Sequence, residues 1–275
     1  MSVHGAGQTA LEYYPCRYGA SRVLFRGPKR DLDKPYIAFV GGTETYGRFI
    51  QQPFPALVER RLGLPCANFG VVNAGVDLYL NDPVVMGLVV GAHVKVVQVM
   101  GAQNMSNRYY SVHPRRNDRF LKASERLETL YPEVDFTEFH FVRHMLGRLH
   151  DLSDDRFSVV VDELRQAWIA RMKNVLTQIR GRVVLLWFAD QPIPSEISAP
   201  NAHDPLFVTR EMIETLRPRV STVIEAVPGA DTLKEGTSGM VFSDFDACAA
   251  EELMGPAAHG FVADTLCEHL NGMLG

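Results

Sequence analysis

Five short apolar runs punctuate the chain, and each stops at small or polar residues. They are 36–40 (YIAFV), 66–69 (CANF), 94–100 (VKVVQVM), 182–188 (RVVLLWF) and 222–227 (TVIEAV). Short runs of apolar and β-branched residues without polar alternation fit strands buried on both faces. Between them the spacing changes to that of helices. Residues 49–62 read as an amphipathic helix interrupted at Pro53 and Pro55. Asp82-Pro83 reads as an N-cap followed by proline at the first helical position, opening an almost wholly apolar helix over 84–91. At the end of the chain, Ala258, Phe261, Val262, Leu266, Leu270 and Met273 form a helical stripe over 256–274. Strands alternating with helices predict an α/β fold, doubly wound, with a parallel sheet of about five strands.

The middle third departs from this alternation. Residues 106–120 (SNRYYSVHPRRNDRF) are polar and basic, and helices are predicted over 121–130, 136–150 and 156–179. The block from about 105 to 180 reads as a helical insertion, either a cap or a cover for one face of the sheet. Residues 1–35, rich in Tyr, Arg and Gly, read as an irregular N-terminal arm, and a further helix is predicted over 209–216. A length of 275 residues suits one large α/β domain spanning the whole chain.

Composition narrows the partners. The formal net charge of −4 gives no support for nucleic acid or an anionic membrane. No apolar run approaches the roughly 18–20 residues of a membrane span, and residues 1–21 lack the basic and apolar regions of a secretory signal. The four cysteines, Cys16, Cys66, Cys248 and Cys267, are scattered, without a C-x-x-C, as expected for free thiols in a cytoplasmic protein. There is no P-loop, no dinucleotide fingerprint and no zinc-ligand cluster, so neither a cofactor nor a metal is expected.

The chemistry gathers where strands end. The first run stops at Gly41-Gly42 and hands over at once to Thr43, Glu44 and Thr45. A hydroxyl there stands at the carboxyl edge of the sheet, where open α/β sheets bind their ligands. The second run ends near Gly70, and the third at Gly101-Ala102-Gln103-Asn104. His259 falls in the first turn of the last helix. Acyl transfer needs a nucleophile, a base and donors for the developing oxyanion, and these positions supply one of each kind. The basic stretch adds Arg108, His113, Arg115, Arg116 and Arg119, either as a solvated loop or as a grip on an anionic group.

Taken in order, these blocks resemble the SGNH (GDSL-type) hydrolases, as a divergent bacterial member. The family's G-D-S-x-x-x-G corresponds to Gly41-Gly42-Thr43-Glu44-Thr45-Tyr46-Gly47, which puts Thr43 at the nucleophile position and Gly42 at the aspartate. Gly70 corresponds to the glycine that gives an oxyanion N–H. Gln103 in strict register, or Asn104 with one insertion, corresponds to the asparagine of G-x-N-D. His259 corresponds to the histidine of D-x-x-H, with Pro256 in place of its aspartate. The resemblance implies a flavodoxin-like three-layer α/β/α sandwich. It also implies a catalytic Thr43–His259 pair with Gly70, Gln103 and Asn104 around the oxyanion. With its usual acid missing, His259 would need another, for which Asp190, Asp204, Asp244 and Asp246 are candidates. Glu44, Arg108, His113, Arg115 and Arg116 are the candidate substrate contacts. The function expected is an ester hydrolase or acyltransferase acting on a small-molecule or glycan ester, an anionic one being an option. A catalytically silent binder of an anionic small molecule or glycan, or a protein-interaction module using the helical cap, are the other readings.

Overall fold

A computed structural model describes residues 11–196, 199–200, 202 and 204–274. Its strands are β1 (Ile37–Val40), β2 (Cys66–Asn68), β3 (Val94–Gln98), β4 (Tyr110–His113), β5 (Arg116–Ala123), β6 (Val183–Phe188) and β7 (Thr222–Ala226). Five of them form one parallel sheet in the order β2-β1-β3-β6-β7, with β3 central and wholly buried. This is the flavodoxin-like order, and its switch point lies between β1 and β3.

Period-two alternation divides the core. On one face lie Ile37, Phe39, Val94, Val96, Val184, Leu186 and Phe188, covered by α2 (Phe54–Leu62) and by the C-terminal helix Pro256–Leu274. On the other lie Ala38, Val40, Val97, Leu185 and Trp187, covered by helices Val76–Leu80 and Pro83–Gly91 and by the long helix Asp154–Gln178. Helices on both faces of a parallel sheet make the three-layer sandwich. The long helix therefore belongs to the sandwich. Its Trp168 is fully buried and donates from Nε1 to the Met100 carbonyl at 2.8 Å.

Several boundaries differ from the sequence reading. The helix expected over 49–62 begins only at Phe54, because Phe49 takes a left-handed φ of 65° and Pro55 is tolerated only in a first turn. The segment 106–120 is an antiparallel hairpin of β4 and β5. Tyr110, Val112 and Phe120 are its buried apolar residues, and His113 Nδ1 closes the turn by accepting the N–H groups of Arg115 and Arg116, each at 3.2 Å. The helix expected from 121 starts at Glu125, since the strand continues to Ala123 and Ser124 caps the helix. Of the expected arm, residues 1–10 lie outside the described residues. Its remainder is fixed by Arg26, which donates to the carbonyls of Tyr46, Gly47, Ile50 and Gln51. Burial pushes that guanidinium down from its ordinary pKa, and the carbonyls replace the lost water.

The turn from β1 into α1 (Thr43–Tyr46) is set by one side chain. Gln98 Oε1, at the end of the central strand, accepts from Gly42 N (3.2 Å), Thr45 N (3.2 Å) and Thr45 Oγ1 (2.6 Å). A Cβ at Gly41 would stand 2.2 Å from Thr45 Oγ1 and 2.5 Å from Gln98 Oε1, so the clamp closes only over glycine. Gly41→Ala is therefore expected to lower the free energy of unfolding by about 1–3 kcal/mol, the range for overpacking. Urea denaturation measures it, and a variant as stable as the parent chain would contradict the clamp.

Candidate functional site

A cavity of about 510 Å³ opens at the carboxyl ends of β1, β3 and β6. Its floor is the β1–α1 turn, with Gly42, Thr43 and Glu44. Its walls come from Asn73, from Gly101, Gln103 and Asn104 after β3, from Asp190 after β6, and from the 252–254 segment before the last helix. Asp118 of the hairpin and Arg143 of the helix Val142–Leu152 close the rim. The topology thus brings Thr43, Glu44, Gln103 and Asn104 together, as chain order suggested.

Thr43 is half-buried, and its hydroxyl is bonded to Asn73 twice. Oγ1 accepts the backbone N–H of Asn73 at 3.0 Å and donates to the Asn73 side-chain oxygen at 3.2 Å. Asn73 holds a left-handed φ of 55°, which asparagine tolerates better than most residues. Its amide nitrogen is 3.3 Å from Asp118 Oδ2, and its carbonyl accepts from Asn104 Nδ2 at 3.1 Å. Asn73 is thus the hub of the site. Sequence reasoning passed over it in Gly70-Val71-Val72-Asn73-Ala74-Gly75, although an asparagine among small residues after a strand is a turn signal.

Gly70 takes another part. Its N–H donates to Asn68 Oδ1 at 2.8 Å, and it is absent from the described cavity lining. It is glycine because a Cβ would stand 2.3 Å from the Tyr46 nitrogen. The N–H beside the Thr43 hydroxyl is that of Asn73.

His259 is not joined to Thr43. It is fully buried, stacked on Phe54 at 5.8 Å and edge-on to Phe188 at 5.4 Å. Its Nδ1 accepts the Phe54 N–H at 3.2 Å, so that nitrogen is unprotonated and the ring is the neutral Nε2–H tautomer. Nε2 faces Glu44 Oε2 at 3.4 Å, which is beyond good hydrogen-bond length. Glu44 Oε1 accepts from Met254 N at 3.2 Å. The acid beside His259 is therefore Glu44. Asp246 pairs with Arg48 at 3.0 Å, and Asp204 with Arg143 at 3.2 Å.

The basic residues expected to reach the substrate point elsewhere. Arg108 forms an ion pair with Glu163 on the long helix. Arg115 and Arg116 are exposed at the hairpin turn, where His113 caps their N–H groups. Arg119 lies over the Phe141 ring at 4.1 Å. None of Arg108, His113, Arg115 or Arg116 is among the described cavity-lining residues. The ion pair with Glu163 holds Arg108, and the hairpin turn keeps Arg115 and Arg116 outside, while Asp118 reaches the rim. The guanidiniums that do reach it are Arg48 and Arg143, neither of which stands in the basic run.

Gln103 donates from Nε2 to Asp204 Oδ1 at 2.8 Å. A carboxylate only accepts, so this contact fixes the amide and commits Oε1 as an acceptor. That atom is buried and accepts no hydrogen bond among the described residues. No group of three or more His, Cys, Asp or Glu is placed to hold a metal, and no helix is long and apolar enough to cross a membrane, among the described residues.

The chain belongs to the family described as Domain of unknown function (DUF6473), which matches residues 1–274. No curated protein matches it. Two solved structures are similar. One is a carbohydrate esterase family 2 enzyme plus carbohydrate binding domain from Corynascus thermopiles (Myceliophthora fergusii). It is 11% identical over 90% of this chain and 69% of that one, with a TM-score of 0.44. The other is a gut microbial diltiazem-metabolizing enzyme, 11% identical over 89% of this chain and 48% of that one, with a TM-score of 0.43. The chain thus spans about half the length of the second. At such identities and scores the likeness bears on neither activity nor substrate.

The contrast between the two expected catalytic residues can be measured. His259→Ala removes a packed ring and leaves the buried Phe54 N–H without an acceptor, so a loss of about 2–4 kcal/mol is expected. Thr43→Ala, at a half-buried cavity wall, should change stability by about 1 kcal/mol or less. Equal unfolding midpoints for the two variants would overturn this assignment of roles.

Proposed function

We propose that the chain is an SGNH-type hydrolase or acyltransferase that cleaves a small-molecule or glycan ester in this cavity, with Thr43 as nucleophile. The observation that carries the reading is the Thr43 hydroxyl at the carboxyl edge of β1, with the Asn73 N–H 3.0 Å from Oγ1. Attack by Oγ1 forms the bond to the ester carbon, and the carbonyl oxygen gains the negative charge. The Asn73 N–H and the side-chain amide of Asn104 are the donors at hand for that charge. The leaving alcohol departs with a proton. A second acceptor, water or an alcohol, then releases the acyl group and restores Thr43.

The proton of Thr43 needs a base. His259 is closed to this role in the ground state, because Nδ1 already accepts an amide and Nε2–H faces Glu44. Asp118, which accepts from the Asn73 amide nitrogen, is the base in this scheme; an amide cannot relay the proton, so Asp118 takes it through a water between its carboxylate and Oγ1 and returns it by the same route to the leaving alcohol. Glu44 is held on the cavity floor by the Met254 N–H, with the His259 ring 3.4 Å away.

One observation favours a second reading, a catalytically silent SGNH fold that binds a small molecule. The Thr43 hydroxyl donates to an amide oxygen, which cannot keep a proton. Turnover of short-chain esters decides between the two. On the first reading, Thr43→Ala lowers turnover by about 10³ or more, whereas Thr43→Ser keeps or raises it, since serine retains the hydroxyl and sheds the β-methyl group. Inertness of both the parent chain and Thr43→Ser leaves the silent binder standing.

A further inference from the structure

Most of the large apolar side chains on the cavity wall belong to the core. Phe188 and Met100 are buried, and Leu253 and Met254 are half-buried. Phe141 is 43% exposed, and among the described residues it is the one exposed large apolar side chain that also lines the cavity. Its backbone is fixed on both sides. Phe141 pairs with Arg119 in an antiparallel bridge, and the Phe120 N–H donates to the His140 carbonyl at 3.1 Å. The Phe141 carbonyl accepts from Met145 N at 3.1 Å as the helix Val142–Leu152 begins. The Arg119 guanidinium lies 4.1 Å from the centre of the Phe141 ring. Arg119 is not among the described lining residues, so it covers the ring from outside and leaves the other face to the cavity. A rigidly held aromatic face on a cavity wall is a contact for the body of a ligand.

We infer that Phe141 is the specificity-determining residue for the alcohol part of the ester, and that this part carries an aromatic ring that stacks on the cavity face of Phe141. The inference rests on the proposed function, in which Asp118 returns the proton to the leaving alcohol. The leaving oxygen therefore faces Asp118. Asp118 and Arg119 are successive residues of β5, and Arg119 is bridged to Phe141, so the Cα atoms of Asp118 and Phe141 lie within about 10 Å of each other. A ring one or two bonds beyond the leaving oxygen spans that gap. The acyl carbon is held on the far side of Asn73, which is bonded to both Thr43 and Asp118. Arg119 decides the kind of ring. A guanidinium draws the negative charge of the π-face toward itself. The face turned to the cavity is left poorer in electrons, so it holds the weakly positive C–H bonds of a saturated ring less well. An aromatic ring brings its own negative face and packs offset against it.

Two isomeric esters separate the alcohol side from the acyl side. Benzyl acetate carries the ring on its alcohol, and methyl phenylacetate carries the same ring on its acyl group. With each kcat/KM divided by that ester's rate in alkali, benzyl acetate is expected to be favoured by about threefold or more, the worth of an aromatic pair. Phe141→Leu keeps an apolar side chain at an exposed position and should abolish the difference. Cyclohexylmethyl acetate should be the poorer substrate beside benzyl acetate, and Arg119→Gln should narrow that gap. Equal values for the two isomers, a preference for methyl phenylacetate, or a preference that survives Phe141→Leu overturns the inference and keeps the hydrolase. Cyclohexylmethyl acetate turned over as well as benzyl acetate overturns the aromatic assignment. If no ester is hydrolysed, NMR titration of the whole chain with benzyl alcohol and cyclohexylmethanol is the measurement. Tighter binding of benzyl alcohol, lost in Phe141→Leu, keeps the aromatic contact and leaves the silent binder. Equal binding of the two alcohols, or binding of neither, overturns the inference.

Discussion

The site depends on the Gln98 side chain. A central strand has its backbone groups taken by two neighbours, so only its side chains are free to organise what lies beyond its end. Gln98 uses one oxygen for three donors of the β1–α1 turn. The turn residue Thr45 is fully buried, and its carbonyl in turn accepts from Asn68 Nδ2 at 2.7 Å. A hydrogen-bonded strip therefore runs from β3 through α1 to β2. Thr43 and Glu44 emerge from that strip, which sets their backbone, while Asn73 and the Met254 N–H hold their side chains.

A second constraint comes from the hairpin. Asn117 is fully buried; its Oδ1 accepts from Gly75 N at 2.9 Å and its Nδ2 donates to the His113 carbonyl at 3.1 Å. The turn of the hairpin is thereby tied to the loop that carries Asn73. A Cβ on Gly75 would stand 1.7 Å from the Asn104 carbonyl oxygen, so the loops after β2 and β3 are in contact as well. Three chain segments far apart in sequence meet within a few ångströms of the Thr43 hydroxyl. Moving any one of them moves Asn73, and with it the N–H beside that hydroxyl.

The sheet was legible because its strands are buried on both faces, and continuous apolar runs such as 94–100 and 182–188 have few other readings. Thr43, Gln103 and Asn104 were legible as cavity residues for the same reason, since strand ends mark the ligand edge. The hairpin was not. Its apolar positions, Tyr110, Val112 and Phe120, are few and broken by a bulge, and the arginines around them read as a loop, either solvated or gripping an anion. Direction was also hidden. Alternation sends Asp118 to the rim and Arg119 onto Phe141, and no spacing rule applies until the strand is known. The place of His259 at a helix start was legible, but its depth, set by Phe54 and Phe188 from two other elements, was not.

That depth decides what His259 can do. To accept a proton from Thr43 the ring would have to leave its pocket and turn. Turning breaks the bond from the Phe54 N–H and strands a buried donor, at about 1–3 kcal/mol, and loses ring contacts of about 0.5–1.5 kcal/mol. Together these amount to about 2–4 kcal/mol, which leaves the turned state at about 3% to 0.1% of the population. A base present at that level slows proton transfer by the same factor, whereas a carboxylate already on the cavity wall pays no such penalty. The packing that holds His259 between Phe54 and Phe188 is therefore the reason it makes a poor partner for Thr43.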